Sequence, residues 1–214
     1  MDTIHPHIKT YGRIRGRLTS DWPFNLNSPP PWFITTAQNT AITLPQNKEI
    51  ILEVGCGMGD SLFEMCQAYP DFYFIGVEIY EPGLVKLARR MFKQPLNNLL
   101  IIQGDIIDRL NLIPSKALSR IHVFFPDPWP KIRHYKRRLH RGNFFQKCEL
   151  VLKTGGRMHL ATDVPEYAHD WIKHAPMTWI KCEDDVWIMN RKHTKYEARG
   201  ENLGHDICDI VYIV

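Results

Sequence analysis

The chain has 214 residues, 44% of them apolar and 23% charged, and its 27 Lys and Arg outnumber 23 Asp and Glu for a net charge of +4. That is enough apolar sequence to bury one sizeable core, which excludes an intrinsically disordered chain. No run approaches the roughly 18 apolar residues of a membrane span, the leader "MDTIHPHIKTYGRIRGR" lacks a secretory apolar stretch, and the five cysteines form no CxxC pair. A cytoplasmic protein with free thiols, no membrane contact and no metal site is expected.

Residues 1–48 open on a basic cluster, Arg13, Arg15 and Arg17, and continue through "SDWPFNLNSPPPWF", rich in Pro, Asn and Ser without a clear period. They read as a basic, partly irregular extension wrapped over a domain spanning 49–214. That domain begins with the apolar run "EIILEVG" (49–55), a glycine turn, and "DSLFEMCQAY", whose Leu62, Phe63, Cys66 and Tyr69 fit one helix face. Strands at 72–78, 99–105 and 120–126 and a helix at 81–93 continue the alternation. A helix in "RGNFFQKCELVLK", a Gly155-Gly156 turn, a strand at 157–163, the helix "PEYAHDWIKHA" and a closing strand "DICDIVYIV" complete it. Alternating apolar strands and amphipathic helices predict an α/β fold, a mostly parallel sheet with helices on both faces.

Ligands of such sheets bind beyond the carboxyl ends of the strands, and each predicted end carries an acid: Glu53, Glu78, Asp105, Asp127 and Asp163. Gly55, Gly57 and Gly59 form GxGxG, with Asp60 where a dinucleotide loop would place its last glycine. A pyrophosphate wants helix N-terminal N–H groups and no nearby anion, so Glu53 and Asp60 turn the loop toward a cation. S-adenosyl-L-methionine carries an ammonium and a sulfonium and suits it better. Glu78 is then placed for the ribose hydroxyls and Asp105 for the adenine amino group.

"FPDPWPK" (125–131) sets three prolines around Asp127 and Trp129. Each proline pushes its predecessor from the helical region, so Phe125, Asp127 and Trp129 are expected extended or polyproline-like; an extended run would face Asp127 and Trp129 one way, and a polyproline twist would splay them. The motif reads either as a rigid site or as a strand-ending turn. It leads into "KIRHYKRRLHR" (131–141), which has six Lys or Arg and no acid, the footprint of a phosphate backbone or else a solvated face.

Taken in order, "EVGCGMGD", "GVE", "GD", "FPDPWPKIRHYKRRL", "ATD" and "TKYEARG" resemble the bacterial tRNA (guanine-N7)-methyltransferase family over residues 49–214. The resemblance implies the Rossmann-like class I methyltransferase fold, with seven strands and the last antiparallel. It also implies a guanine at position 46 in the tRNA variable loop as target. It puts S-adenosyl-L-methionine on Glu53, the glycine loop, Glu78, Asp105 and Asp127, and makes Asp127 catalytic. It assigns the substrate to Lys131, Asp163 and the segment Thr194, Lys195, Tyr196 and Glu197, and RNA to Arg133, His134, Tyr135, Lys136, Arg137 and Arg138. tRNA is the expected partner, with no obligatory protein partner, for a monomer or homodimer. Two alternatives stay open: an amino-group methyltransferase, echoed by Asp127-Pro128-Trp129, and a non-catalytic RNA-binding module.

Overall fold

The computed structural model describes residues 21–183, 194, 197, 200 and 202–214. β2 (Ile50–Val54) is buried along its whole length, as a continuous apolar run inside a parallel sheet should be. α1 (Asp60–Ala68), β3 (Tyr73–Glu78), α2 (Glu81–Lys93) and β4 (Leu99–Gln103) follow where the apolar periodicity puts them. A short helix α3 (Ile106–Arg109), β5 (Leu118–Phe124), α4 (Phe144–Val151), β6 (Leu152–Thr162), α5 (Pro165–His174), β7 (Ile180–Cys182) and β8 (Cys208–Ile213) complete the chain.

With β1 (Phe33–Ile34), eight strands form one sheet in the order β1-β4-β3-β2-β5-β6-β8-β7, where seven were expected. All neighbours are parallel except β8, which runs against both β6 and β7. The extra strand comes from the segment read as an irregular extension. Its two residues pair with Ile101 and Ile102 of β4, and two residues are too few to show a period in sequence.

Helices cover both faces. α1 and α2 pack Leu62, Phe63, Met65, Leu84 and Leu87 over Ile51, Phe74 and Ile101, while α3, α4 and α5 cover Leu52, Ile75, Ile121 and Leu160 with Ile106, Phe144 and Trp171. Phe63, Phe144 and Trp171 are fully buried, each contributing roughly 1.5–3 kcal/mol. The Gly155-Gly156 turn is not a turn. β6 runs through both glycines, Gly155 at φ 75° donates to the Val214 carbonyl at 2.8 Å, and the register shifts beside it, as a bulge would do.

Residues 21–45 lie along the β4 edge. Trp22, Phe24, Trp32 and Phe33 form an aromatic cluster reaching Phe92 of α2, with Phe24 and Phe33 centroids 5.0 Å apart. Among the described residues no helix is long and apolar enough to cross a membrane, and all five cysteines are free.

Candidate active site

The strand order reverses between β2 and β5, which opens a crevice beyond their carboxyl ends. The acids stand there in the sheet's own order: Asp105 after β4, Glu78 ending β3, Glu53 in β2, Asp127 after β5 and Asp163 after β6. Backbone bonds of 2.8 Å tie the ends together, from Gly55 N–H to the Val77 carbonyl, Gly104 N–H to Glu78 and Phe125 N–H to Ala161. Neighbouring strands are roughly 4.8 Å apart, and the acids are also staggered along them, Glu53 standing level with Gly76 and Glu78 with Gln103.

Gly55, Gly57 and Gly59 all take positive φ, at 72°, 57° and 70°. A Cβ at Gly55 or Gly57 would enter open space, whereas one at Gly59 would collide with Leu87 of α2. The first two keep a cradle clear and the third lets α2 approach. Glu78 fixes the loop from below: its Oε2 accepts from Gly57 N–H, and its Oε1 from Ile79 and Tyr80 N–H, each at 2.7 Å. Two carboxylate oxygens offer about four acceptor positions, so capacity remains for a hydroxyl.

Glu53 is buried and has no hydrogen-bond partner among the described residues. Burial, with the Glu78 carboxylate adding to it, pushes its pKa up to about 8. Such a group is short of a positive partner. Asp60 is not, because Lys86 at 3.5 Å and Arg90 at 3.7 Å already pair with it. The anionic character of the loop therefore rests on Glu78, joined by Glu53 where a cationic partner ionises it, rather than on Asp60. Asp105 caps α3, its Oδ1 accepting from Ile107 N–H at 2.9 Å. Arg109, at the end of that helix, donates to the Thr36 carbonyl at 3.0 Å and the Gln38 carbonyl at 2.9 Å. It lies against Gly104, which sits at φ 135° and where a Cβ would collide with the Arg109 side chain. The N-terminal segment is thus fastened beside Asp105.

The 125–130 loop departs from expectation. Phe125 and Trp129 sit at φ 49° and 44°, left-handed rather than extended, so Asp127 and Trp129 do not share an extended face. Tertiary contacts override the pre-proline preference: Phe125 N–H continues the β5–β6 ladder, and Trp129 is held by Arg137 at 5.0 Å over its ring and His134 at 5.7 Å against its edge. Asp127 is exposed, and partial burial of its carboxyl raises its pKa.

Beyond the loop the basic run forms a short 3-10 turn over Ile132–Arg137. Lys131, Arg133 and Lys136 are exposed, while His134, Tyr135 and Arg137 are half-buried. Arg138 breaks ranks and corrects the RNA assignment. At 2% exposure it points inward, where Nη1 donates to Asp170 Oδ2 at 2.8 Å, Nε donates to the Pro128 carbonyl at 3.0 Å, and the guanidinium lies 3.6 Å from the Tyr135 ring centroid. A phosphate has no access to it.

Asp170 of α5 is a hub that nothing in the sequence signals, since it reads as one more polar position of an amphipathic helix. Besides Arg138 it takes His140 Nε2 at 2.8 Å and Arg141 Nη2 at 2.5 Å. Burial works to raise its carboxyl, but the hydrogen bonds from Arg138 and His140 and the Arg141 charge outweigh it and bring the group to about 2. Burial lowers His140 to about 4. His140, Asp170 and His174 come within 4.8 Å of one another in a geometry open to a metal, but two guanidiniums already supply the carboxylate's positive partner.

Thr194 and Glu197 hold each other: Thr194 N–H donates to Glu197 Oε2 at 3.2 Å and Glu197 N–H to Thr194 Oγ1 at 3.0 Å, a reciprocal capping box. Glu197 is buried, so the pair has a structural use whatever else it does. The segment returns to the end of β6, where His205 Nδ1 lies 3.2 Å from Asp163 Oδ2 and Gly200 faces the Asp163 side chain. Lys195 and Tyr196 lie outside the described residues, as do Arg13, Arg15 and Arg17.

A family model described as "Putative methyltransferase" matches residues 47–210. The tRNA (guanine-N(7)-)-methyltransferase of Pseudomonas entomophila is 36% identical over 219 residues, covering 97% of this chain and 91% of that one. The protein of the same name from Nitrosococcus oceani is 38% identical over 177 residues, covering 80% of this chain and 74% of that one. Among solved structures, the 16S rRNA methyltransferase KamB superposes with a TM-score of 0.58 at 16% identity, covering 79% of this chain and 89% of that chain, a likeness of fold.

Proposed function

The chain belongs to the tRNA (guanine-N7)-methyltransferase family, and from that premise we propose that it moves a methyl group from S-adenosyl-L-methionine to N7 of a guanine in tRNA, at position 46 of the variable loop. One observation supports this reading above the rest: Glu53, buried and without a hydrogen-bond partner among the described residues, beside Glu78 under a cleared glycine cradle. A cationic group fits there, and a pyrophosphate does not. Bound S-adenosyl-L-methionine supplies an electrophilic methyl on a sulfonium. Glu53 would meet its ammonium, Glu78 its ribose hydroxyls and Asp105 its adenine amino group.

Guanine N7 has an in-plane lone pair and no proton, so the chain needs no general base at that atom. What it supplies is a fixed carboxylate beside the path of positive charge from sulfur to purine, and Asp127 is in the right loop to do this. Lys131 and Asp163, with the 194–197 segment, would border the base. Arg133, His134, Tyr135, Lys136 and Arg137 would hold the RNA backbone. The methyltransferase domain would span 49–214, with residues 1–48 a basic extension whose β1 adds an edge strand to the domain's sheet. The protein would work in the cytoplasm as a monomer or homodimer without an obligatory protein partner.

The test is mass analysis of nucleosides from tRNA incubated with the protein and labelled cofactor. Label in 7-methylguanosine is expected. Label on an exocyclic amino group, or none with cofactor binding absent in calorimetry, would replace this reading with one of its two rivals.

A further inference from the structure

We propose that Arg138 and Asp170 form a pin that holds the 125–130 loop, and with it Asp127, in reacting position, so that Arg138 is a positioning residue. The proposal rests on the reading above for the role of Asp127.

Two bulky residues of this loop sit in the left-handed region, Phe125 at φ 49° and Trp129 at φ 44°. Backbone of that kind costs of order 1–3 kcal/mol per residue and persists only where the surroundings over-determine it. The determinants are visible. At the loop's start Phe125 N–H is bonded to Ala161, and past its middle Trp129 is gripped by Arg137 and His134. Between them, the Pro128 carbonyl accepts from Arg138 Nε at 3.0 Å. Pro128 is the residue between Asp127 and Trp129, so this bond fixes the Pro128–Trp129 peptide, one residue beyond the carboxylate.

The other arm of the same guanidinium is anchored in the core. Nη1 donates to Asp170 Oδ2 at 2.8 Å, and the plane is stacked on Tyr135 at 3.6 Å with Tyr167 at 5.4 Å. Asp170 is locked by His140 and Arg141 and stands on α5, whose Tyr167 and Trp171 are fully buried. Two bonds therefore connect a rigid helix to the loop. A planar fork can bond a carbonyl and a carboxylate at once in a set geometry, and a lysine ammonium cannot copy that. Misplacing a reacting group by about 1 Å costs on the order of 100-fold in rate.

The experiment is steady-state methyl transfer by the full chain carrying R138K, R138M or D170N, with tRNA affinity and melting temperature measured alongside. In R138K and R138M, kcat should fall at least about tenfold while tRNA affinity stays within about threefold. D170N should fall in the same direction, and the R138K/D170N double variant should be no worse than R138K, because both cut one connection. Three results overturn the pin: kcat within about twofold of the parent in R138K and R138M, tRNA affinity lost in R138M and restored in R138K, or lowered melting temperatures with kcat intact well below them. If R138K does not fold, D170N carries the same comparison. A parent that leaves tRNA unmethylated strikes the proposed function instead. The pin is then read by 19F NMR of protein labelled with 5-fluorotryptophan, its Trp129 signal assigned through W129F. A shifted or broadened Trp129 signal in R138K or D170N upholds the pin, and an unchanged one in both refutes it.

Discussion

At the ends of β3 and β4, Glu78 and Asp105 are buried and bonded to backbone N–H groups of adjoining turns, Glu78 to Ile79 and Tyr80 and across to Gly57, Asp105 to Ile107. At the end of β5, Asp127 is exposed on a loop with two left-handed aromatic residues, and a side chain eleven positions later, Arg138, ties that loop to α5. The first half is held by backbone N–H groups at the strand ends. The second depends on side chains, Arg138 and Asp170, that reach in from outside the loop. Damage on the first side should therefore appear as lost cofactor binding, and damage on the second as lost rate or lost RNA affinity.

The sharpest way to break this contrast is D127A. Methyl transfer should fall by at least about 100-fold, with tRNA affinity changed by less than about threefold. Parent-like turnover in that variant would end the assignment.

Next in size is the titration of Glu53. Its pKa of about 8 leaves it mostly protonated at neutral pH, and a cationic ligand binds the ionised form. Cofactor affinity should rise with pH by up to about tenfold per unit and level off above 8, with a proton released on binding below that pH. Calorimetry in buffers of different ionisation enthalpy checks this, and E53Q should lose both the proton release and about tenfold or more in affinity. The sign for the ligand-free protein is opposite. A raised carboxyl contributes stability below its ordinary value of 4.5 that is lost as pH rises through about 8, so E53Q should melt higher than the parent at pH 9.

On the RNA side, an R133E/K136E/R137E triple variant should weaken tRNA binding and flatten its dependence on salt. The slope of log K against log salt should shrink by about 0.7–0.9 for each phosphate that is no longer neutralised. An unchanged slope would leave these side chains as a solvated face. The smallest effect is T194A, which deletes half of the capping box. It should cost about 1 kcal/mol and lower the melting temperature by roughly 2–4 °C. A much larger loss of kcat than of stability would give Thr194 a place against the substrate as well.

The central fold was legible because long apolar runs carry their own period: α2 was bounded at 81 and 93 from sequence and occupies Glu81–Lys93. β1 and β7 were not, since strands of two and three residues exist only through their partners in the sheet. The row of acids at the strand ends could be read for a related reason, since Glu53 and Glu78 lie at the ends of β2 and β3 and Asp105 just past β4. Arg138 could not be separated from its neighbours, because a basic run records charge and not direction. Only the position of α5 turns one arginine inward. The left-handed aromatics contradict a sound local rule, and the packing of Trp129 that overrules it comes from Arg137 and His134, residues the rule does not consider.

The two residues of β1 have a consequence out of proportion to their length. Ile101 N–H donates to the Trp32 carbonyl at 2.8 Å, and Phe33 at 1% exposure covers the apolar outer margin of β4. A chain started at Glu49 would keep every acid of the crevice but leave that margin as a row of open N–H and C=O groups on an apolar strand. Such a row is a template for another copy of the chain. Shortened forms of this enzyme should therefore self-associate in a concentration-dependent way, and adding back residues 21–48 should restore solubility before it restores anything else.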